Sequence, residues 1–363
     1  MSEPPEDILG CHLPQRRAHG LIEPGPRPCF GSTEILLELR QIAAAIGIAF
    51  LSIASIRRGL IKAERLIVVI IYGTFAISFV KAALVAASFI SNVDPISVTR
   101  VLFGDNVRAE PIILGLVRLD FSAYIVGAFA LFALLAPSVS GVHFGRASKV
   151  IISLVVLLGS GFLTYARAIW LVYVVCVVAA MVVERNWKAM VLTVCATVTF
   201  VAVSYGVLST IFEERFITEA ELSDEGRVDQ AKHLIEEIKV RPVLGKGMGA
   251  HFDSDSRGDK QRYSYELQWL AFLMQFGILG VMGIVVLIAA SAHDLVKARH
   301  PARPWVLLIF ALWLLESCLN PHMTSSYAGA TFGLFMAMFY RMRNAKNDGM
   351  NETMAVFPVT ATH

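Results

Sequence analysis

Long apolar runs, separated by short breaks that contain charged residues or proline, are the dominant pattern along this chain. An α-helix needs about 20 apolar residues to cross a hydrocarbon layer about 30 Å thick. Runs near that length occur at residues 36–56, 66–90, 112–136, 149–166, 168–183, 188–208, 266–290, 305–319 and 324–340. We therefore predict an all-α fold, a polytopic transmembrane helical bundle of about 9 to 11 helices.

The composition agrees with this class of protein. Of 363 residues, 56% are hydrophobic and only 17% are charged, as expected of a polytopic membrane protein. The formal net charge of +3 is too small to indicate a nucleic-acid partner. The five cysteines show neither metal-ligand spacing nor a regular framework, so we interpret them as structural.

Three regions are expected along the chain. Residues 1–33 are rich in proline and lack the apolar core of a signal peptide, so they predict a disordered N-terminal tail. Residues 34–340 are predicted to form a single transmembrane bundle, which includes one long hydrophilic loop at residues 209–265. Residues 341–363 are predicted to be a cytoplasmic C-terminal tail.

Basic residues in the short loops set the predicted orientation, because Lys and Arg concentrate on the cytoplasmic side. With the C-terminal tail inside, alternation of the spans places these basic residues inside as well: Arg57, Arg58, Lys62, Arg65, Arg146, Lys149, Arg185, Lys188, Lys297, Arg299 and Arg303. The long loop at residues 209–265 then lies outside. Nine spans also place the N-terminus outside, so the helix count stays open by one segment.

Ionisable residues in or beside the spans are costly in lipid and usually face a cavity or a partner. Those of this chain fall in the outer half of the membrane or at its outer edge: Lys81, Arg118, Asp120, Arg167, Glu266, Glu316 and His322. Each could snorkel alone, or form a local ion pair such as Arg118 with Asp120. Their shared side, with the long loop on the same face, favours an externally open polar cavity.

The outer loop contains a predicted amphipathic helix. Apolar residues recur there at spacings of three and four: Val228, Ala231, Leu234, Ile235 and Ile238. The stretch has acidic residues at its start, Arg227 in its first turn, and Pro242 at its end. Such a helix lies on the membrane surface or caps the bundle, and a solvated cap without chemistry is the alternative interpretation.

Three alternate glycines follow the helix, at Gly245, Gly247 and Gly249. A nucleotide-binding loop requires a strand before it and a helix after it, together with the remaining motif residues, and the sequence has neither. Glycines also let backbone N–H groups approach an anion, or allow a sharp return of the chain to the membrane. The second use is the commoner of the two.

The order of these features resembles the C-terminal half of the O-antigen polymerase and O-antigen ligase superfamily. Three segments within residues 150–340 carry the resemblance: LTYARAIWLV, GRVDQAKHLIEEIKVRPVLGKGMGAHF and YELQWLAFLMQFGILG. In that family a small-residue-Arg turn joins two spans, a Gly-Arg opens a loop helix, and a Pro-x-x-Gly-x-Gly segment follows. A polar residue then precedes a Leu-rich helix with Gly-x-x-Gly.

The resemblance implies a GT-C-like glycosyltransferase built of transmembrane helices. Its implied donor is a polyprenyl-pyrophosphate-linked oligosaccharide outside the cytoplasm, and no cofactor is implied. The implied location is the bacterial inner membrane, with contacts to membrane lipids and an active site that faces the periplasm. The resemblance also allows a chain-length regulator protein as a partner.

Two arginines, Arg167 and Arg227, match the family's functional arginines by position, and Arg241 is a more weakly placed third. Guanidinium groups stabilise the negative charge that develops on a pyrophosphate leaving group. Pyrophosphate already leaves readily, so this chemistry demands no metal. We interpret Asp253 and Asp255, which have a metal-binding spacing, as a solvated acidic patch.

An acceptor hydroxyl needs a group that takes its proton. The ligase branch of the family has His where this chain has Glu266, and this departure favours a polymerase over a ligase. Glu266 also begins a helix, where the helix dipole favours any carboxylate. The remaining substrate-binding candidates are polar residues of the outer face: Lys81, Arg118, His251, Glu316 and His322.

Four functions are compatible with these features, and we favour a polymerase that adds a growing glycan to the next lipid-linked repeat unit. A ligase would deliver the glycan to a terminal lipid or protein acceptor. A transporter of an anionic lipid-linked glycan would use the same arginines, but transporters generally show matched halves or broken helices at mid-membrane depth. A membrane scaffold would use the outer loop only for docking.

Overall fold

The structure is a computed structural model, and it describes residues 32–91, 97–98, 108–111, 117–120, 124–164, 167–186, 188, 219–250, 265–298, 300–318, 322–323 and 325–355. The helices are α1 (Ser32–Arg57), α2 (Ala63–Ser91), α3 (Tyr124–Leu135), α4 (Arg146–Val156), α5 (Arg167–Val183), α6 (Glu219–Val240), α7 (Gln268–Lys297), α8 (Arg303–Glu316) and α9 (Ser326–Ala355). A single helical turn, Pro137–Ser140, follows α3. After α4 the chain continues into a π-helical turn, Leu157–Gly161, and a 3₁₀ turn, Phe162–Thr164.

A two-stranded antiparallel hairpin is the exception to helical structure in the described part of the chain. It consists of β1 (Arg108–Pro111) and β2 (Val117–Asp120), and its register places Glu110 opposite Arg118. The hairpin is only four residues long on each side. The predicted all-α class is therefore confirmed.

Several helices have the length and apolar composition of membrane spans. Four described helices meet both criteria: Glu38–Arg57, Ala63–Ala87, Arg146–Thr164 and Gln268–Lys297. Large apolar side chains on their surfaces are exposed, such as Phe50 of α1 at 67% and Leu287 of α7 at 69%. Exposed apolar surface on this scale is typical of helices that face lipid. The chain is an integral membrane protein.

The hydrophobic core surrounds α3. Every residue of this helix from Tyr124 to Leu134 is buried, which is expected of a helix that is apolar on all sides. Helices α2, α4, α5 and α9 pack around it, and α1 packs on the outside of α9. Aromatic rings join the layers, because Phe335 of α9 lies with its ring centroid 5.0 Å from both Phe129 and Phe310.

A glycine in the π-helical turn allows α2 to approach closely. A Cβ at Gly159 would overlap the backbone carbonyl of Ser78. Beside this contact, the hydroxyl groups of Ser78 and Ser160 share a hydrogen bond of 2.5 Å. The indole N–H of Trp170 donates to the Gly161 carbonyl at 3.1 Å, and so satisfies an acceptor in the irregular turn.

The predicted span at residues 112–136 is wrong in its first half. Residues 117–120 form β2, and the helix begins only at Tyr124. Arg118 and Asp120 alternate there with apolar residues, which is the two-residue period of a strand. The predicted span 188–208 lies outside the described residues apart from residue 188, and the first part of the predicted C-terminal tail continues α9.

Successive helices of the bundle run in opposite directions, so their first and last residues lie at two ends of the bundle. At one of them α2 ends and α1, α3, α5, α7 and α9 begin, and we call it the site end. At the other, which we call the opposite end, α2, α4 and α8 begin. Contacts between the first turns agree with this arrangement, since Tyr124 of α3 contacts His322 just before α9.

Candidate active site

An ion pair joins α6, the helix of the long hydrophilic loop, to the start of α7. Arg227 Nε donates to Glu266 Oε2 at 2.9 Å, and the two side chains are 25% and 24% exposed. One turn further along α6, Gln230 Oε1 accepts the backbone N–H of Leu267 at 3.2 Å. Two consecutive residues before α7 are thus held by α6, and the ion pair stays partly exposed to solvent.

A small apolar cluster seats α6 on α7. Leu234 is fully buried against Ala271 and Met274 of α7. Burial of a leucine side chain stabilises by roughly 2 kcal/mol, which favours the packing of α6 on α7. Val228 and Ile235 of the predicted apolar stripe are instead 53% and 43% exposed. Only one edge of that stripe therefore faces the bundle.

Helix α7 is broken at Gly277, whose φ of 66° and ψ of −175° are not helical. Backbone hydrogen bonds from the glycine-rich loop, residues 241–250, cross the break: Lys246 N–H to the Met274 carbonyl (2.8 Å), Gly247 N–H to Gln275 (2.9 Å), Ile278 N–H to Pro242 (2.9 Å) and Leu279 N–H to Val243 (3.3 Å). These bonds replace those that a continuous helix would make at this point. The loop therefore caps both halves of α7.

Two glycines make this contact possible. Gly245 has a φ of 71° and Gly277 a φ of 66°, a region that favours glycine. A Cβ on either residue would overlap the backbone of the other segment. Of the two uses considered for the glycines, a close return of the chain to the bundle is the one that the backbone contacts display. The N–H groups of Lys246 and Gly247 are directed at α7 carbonyls.

A buried carboxylate from α1 also contacts the glycine-rich loop. Glu38 is 1% exposed, and its Oε2 accepts the N–H of Gly249 at 2.6 Å. Ile35 of the same helix occupies the space where a Cβ on Gly249 would lie. Glu38 is not among the candidates predicted from the sequence, although a lone carboxylate in an apolar span is a recognised signal of function.

A second ion pair, between Lys246 and Glu237, joins the loop to α6. The side chains are 18% and 31% exposed, and burial lowers the pKa of the Lys246 ammonium group. The charge of Lys246 is thus matched within the protein. This ion pair fixes the loop to the last turns of α6.

Glu316 and His322 lie together in an enclosed cluster next to the start of α7. His322 Nε2 is 2.9 Å from Glu316 Oε1 and 3.1 Å from the Tyr124 hydroxyl, and neither the Glu316 nor the His322 side chain is more than 3% exposed. Gln268 Oε1 accepts the N–H of Met323 at 2.8 Å. The cluster therefore ties α3 and α8 to the first turn of α7. A substrate contact of Glu316 or His322 stays a prediction.

Lys81 lies at the same end of the bundle, on α2. It is 2% exposed, and its Nζ donates to Thr164 Oγ1 at 3.0 Å. The Thr164 hydroxyl in turn donates to the Ser160 carbonyl at 2.6 Å. Strand β2 lies against the 3₁₀ turn that carries Thr164, so the backbone of Arg118 is brought to this end too. In the hairpin register Arg118 lies opposite Glu110, and Asp120 lies opposite Arg108.

The other predicted site residues are placed as follows. Arg167 is the first residue of α5, at the site end. Arg241 follows the last residue of α6 and is exposed, so it lies about 20 Å along the helix axis from Arg227. The structure does not bring Arg241 and Arg227 together. His251 lies outside the described residues. Among the described residues, no three His, Cys, Asp or Glu side chains are grouped to hold a metal ion.

The fold and the ion-paired end define an integral membrane protein with a polar site at one end of a helical bundle. Residues 152–285 match the family model described as O-antigen ligase, and this match supports the O-antigen ligase and polymerase superfamily. Members of that superfamily are membrane glycosyltransferase-like enzymes that act on lipid-linked glycans. The matched segment contains Arg227, Glu266 and the glycine-rich loop. No curated protein and no solved structure matches the chain.

Proposed function

We propose that this chain is a polysaccharide polymerase, for an O-antigen or an exopolysaccharide. It transfers a glycan from a polyprenyl-pyrophosphate donor onto a lipid-linked repeat unit. The observation that carries the proposal is the accessible ion pair of Arg227 and Glu266, within the segment that matches the O-antigen ligase model. The positive charge of Arg227 is suited to the pyrophosphate leaving group, and the negative charge of Glu266 is suited to taking a proton from the acceptor hydroxyl.

The guanidinium group of Arg227 serves the donor. Displacement at the anomeric carbon breaks the bond to the pyrophosphate, and the electron pair of that bond leaves with the phosphate oxygen. A guanidinium group stabilises the resulting charge through charge-assisted, bidentate hydrogen bonds. Arg227 is 25% exposed and therefore within reach of a lipid-linked ligand, and Arg167 begins α5 at the same end.

The carboxylate of Glu266 serves the acceptor. The acceptor hydroxyl oxygen forms the new bond to the anomeric carbon while its proton passes to the carboxylate. Pyrophosphate competes with Glu266 for the Arg227 guanidinium group, which lies 2.9 Å from the carboxylate. Donor binding therefore loosens the ion pair and makes the carboxylate available as a base.

The distribution of basic residues supports a site that faces the periplasm. The opposite end carries an excess of exposed basic side chains: Arg57, Arg58, Lys62, Arg65, Arg146, Arg185, Lys188, Lys297, Arg303 and Arg343. Such residues concentrate on the cytoplasmic side of a membrane protein. Glu266 then lies at the outer face of the bacterial inner membrane.

A ligase is the second candidate, because the matched family model is described as O-antigen ligase. It would use the same donor and the same ion pair. The difference lies in the acceptor, which for a ligase is a terminal molecule that accepts one glycan and is not extended. The decisive experiment therefore varies the acceptor.

The test supplies purified protein in detergent with a polyprenyl-pyrophosphate-linked repeat unit alone, and separates the glycan products by length. We expect a ladder, since each product of a polymerase is again a substrate. A single product that forms only after a separate terminal acceptor is added would assign the protein as a ligase. Folded protein that forms neither product would contradict a transferase.

A further inference from the structure

A cavity of about 270 Å³ lies at the opposite end of the bundle, far from Glu266. It is formed between the turn that joins α1 to α2 and the middle of α9. Its polar lining comes from Lys62 and Glu64 on one side and from Arg341 and Asn344 on the other. No step of the proposed transfer uses these residues.

The charges around the cavity are predominantly positive. Arg341 Nη1 donates to Glu64 Oε1 at 2.7 Å, so the acidic residue in the lining is matched by one arginine. Lys62, which is exposed, adds a further positive charge to the lining. More exposed basic residues flank the same turn or follow Arg341: Arg57, Arg58, Arg65 and Arg343. The cavity is therefore suited to an anionic ligand.

Apolar side chains are exposed directly beside these charges. Leu60 and Ile61 in the turn are 73% and 40% exposed, and Tyr340 in the cavity wall is 37% exposed. Cationic groups, an aromatic ring and exposed aliphatic side chains together are typical of the headgroup region of a leaflet. A ligand that carries acyl chains on its phosphate matches this surface better than a free phosphate does.

We propose that this cavity binds the head group of an anionic phospholipid. Its phosphate lies against Lys62 and Arg341, and its acyl chains run over Leu60. Lysine and arginine bind phosphate oxygens through charge-assisted hydrogen bonds, and the amide of Asn344 offers both donors and an acceptor to a hydroxylated head group. The site holds a lipid of the leaflet on the side away from the Arg227–Glu266 pair.

The test is native mass spectrometry of the purified full chain in detergent. Phosphatidylglycerol is titrated against phosphatidylcholine with identical acyl chains, and we expect preferential retention of phosphatidylglycerol. Loss of one charged contact in Lys62→Gln should weaken phosphatidylglycerol binding about fivefold. Lys62→Arg keeps the charge and should keep the binding. Arg65→Gln is the matched control, because Arg65 belongs to the same basic cluster but does not line the cavity.

Three results would overturn the proposal. Equal binding of the two lipids would show that the head group is not recognised. An equal loss in Lys62→Gln and Arg65→Gln would assign the effect to general surface charge. Displacement of the lipid by millimolar inorganic phosphate would assign the cavity to a free anion. Each variant changes an exposed side chain, and its melting temperature verifies that it is folded.

Discussion

Glu38 connects the first helix of the bundle to the loop beside the candidate active site. Its carboxylate is 1% exposed and accepts the Gly249 N–H at 2.6 Å. A buried carboxylate is costly unless it is hydrogen-bonded, so this contact depends on the loop being held against α1. The same loop closes the break in α7, and Glu38 therefore helps to position the helix that follows Glu266.

Replacement of Glu38 tests this contact. Glu38→Leu leaves the Gly249 N–H without its acceptor, and we expect a loss of roughly 1–3 kcal/mol in the free energy of unfolding. Thermal unfolding in detergent measures the loss. Glu38→Gln is the matched variant, since its amide oxygen still accepts the N–H, and it should unfold at a higher temperature than Glu38→Leu. Equal melting temperatures of Glu38→Leu and the unchanged protein would contradict the interpretation.

At the residue scale, the sequence identified candidate site residues, but it did not identify which residues they contact. The family resemblance predicts Arg227 and Glu266, and they form an ion pair although their positions in the sequence differ by 39. That contact depends on how α6 packs on α7, which a sequence pattern does not specify. Glu38 was missed because its partner is a backbone N–H 211 residues away. The signal that was present is a single carboxylate in the first apolar span.

At the scale of elements, α7 and the glycine-rich loop form one unit. The helix is interrupted at Gly277, and the loop supplies backbone partners to the residues on both sides of the interruption. A buried helix end without such partners would leave polar groups unsatisfied. The first half of α7, which follows Glu266, is therefore held in place by the loop and by α6 together.

Two alanine substitutions in the loop should differ sharply. Gly245→Ala combines a φ of 71° with a Cβ that would overlap the Gln275 carbonyl, so we expect a loss of about 3 kcal/mol or more in stability. Gly247→Ala also has a positive φ, of 98°, but nothing lies within 4 Å of its Cβ position, so about 1–2 kcal/mol is expected. Melting temperatures in detergent compare them. Equal effects would show that the packing against α7 is not tight.

The sequence predicted the positions of helices correctly where the length of an apolar run was the deciding property. The apolar runs located α1, α2 and α5, because length and hydrophobicity decide a membrane helix. The same criterion failed at residues 112–136, where the charged positions in β2 follow a two-residue period and α3 is only 12 residues long. It also missed the break in α7, because the glycine at position 277 is compatible with an unbroken apolar helix in sequence and its φ depends on a loop elsewhere.

At the scale of the whole molecule, the bundle separates two polar regions. The Arg227–Glu266 pair lies at the site end, and the phosphate-binding candidates Lys62 and Arg341 lie at the opposite end. The proposed function requires the two ends to face different compartments. The orientation is therefore a property that can be tested apart from catalysis.

Cysteine labelling tests the orientation. In a background with the native cysteines replaced by serine, we expect Lys232→Cys on α6 to react with a membrane-impermeant maleimide in spheroplasts. Lys188→Cys at the opposite end should react only after lysis. Both lysines are exposed, so a difference in labelling between the two positions reports the side of the membrane and not burial in the protein. The reverse order of labelling would contradict a site that faces the periplasm.

The central claim is that Arg227 and Glu266 carry out the transfer, and the rate of polyprenyl-pyrophosphate release by purified protein tests it most directly. We expect Arg227→Ala to lower this rate by about 100-fold or more, through lost stabilisation of the leaving group. Glu266→Gln should lower it by about 100-fold or more through loss of the base. Lys232→Ala, an exposed change on the same helix, should leave it unchanged. Full activity of a folded Arg227→Ala or Glu266→Gln variant would contradict the claim.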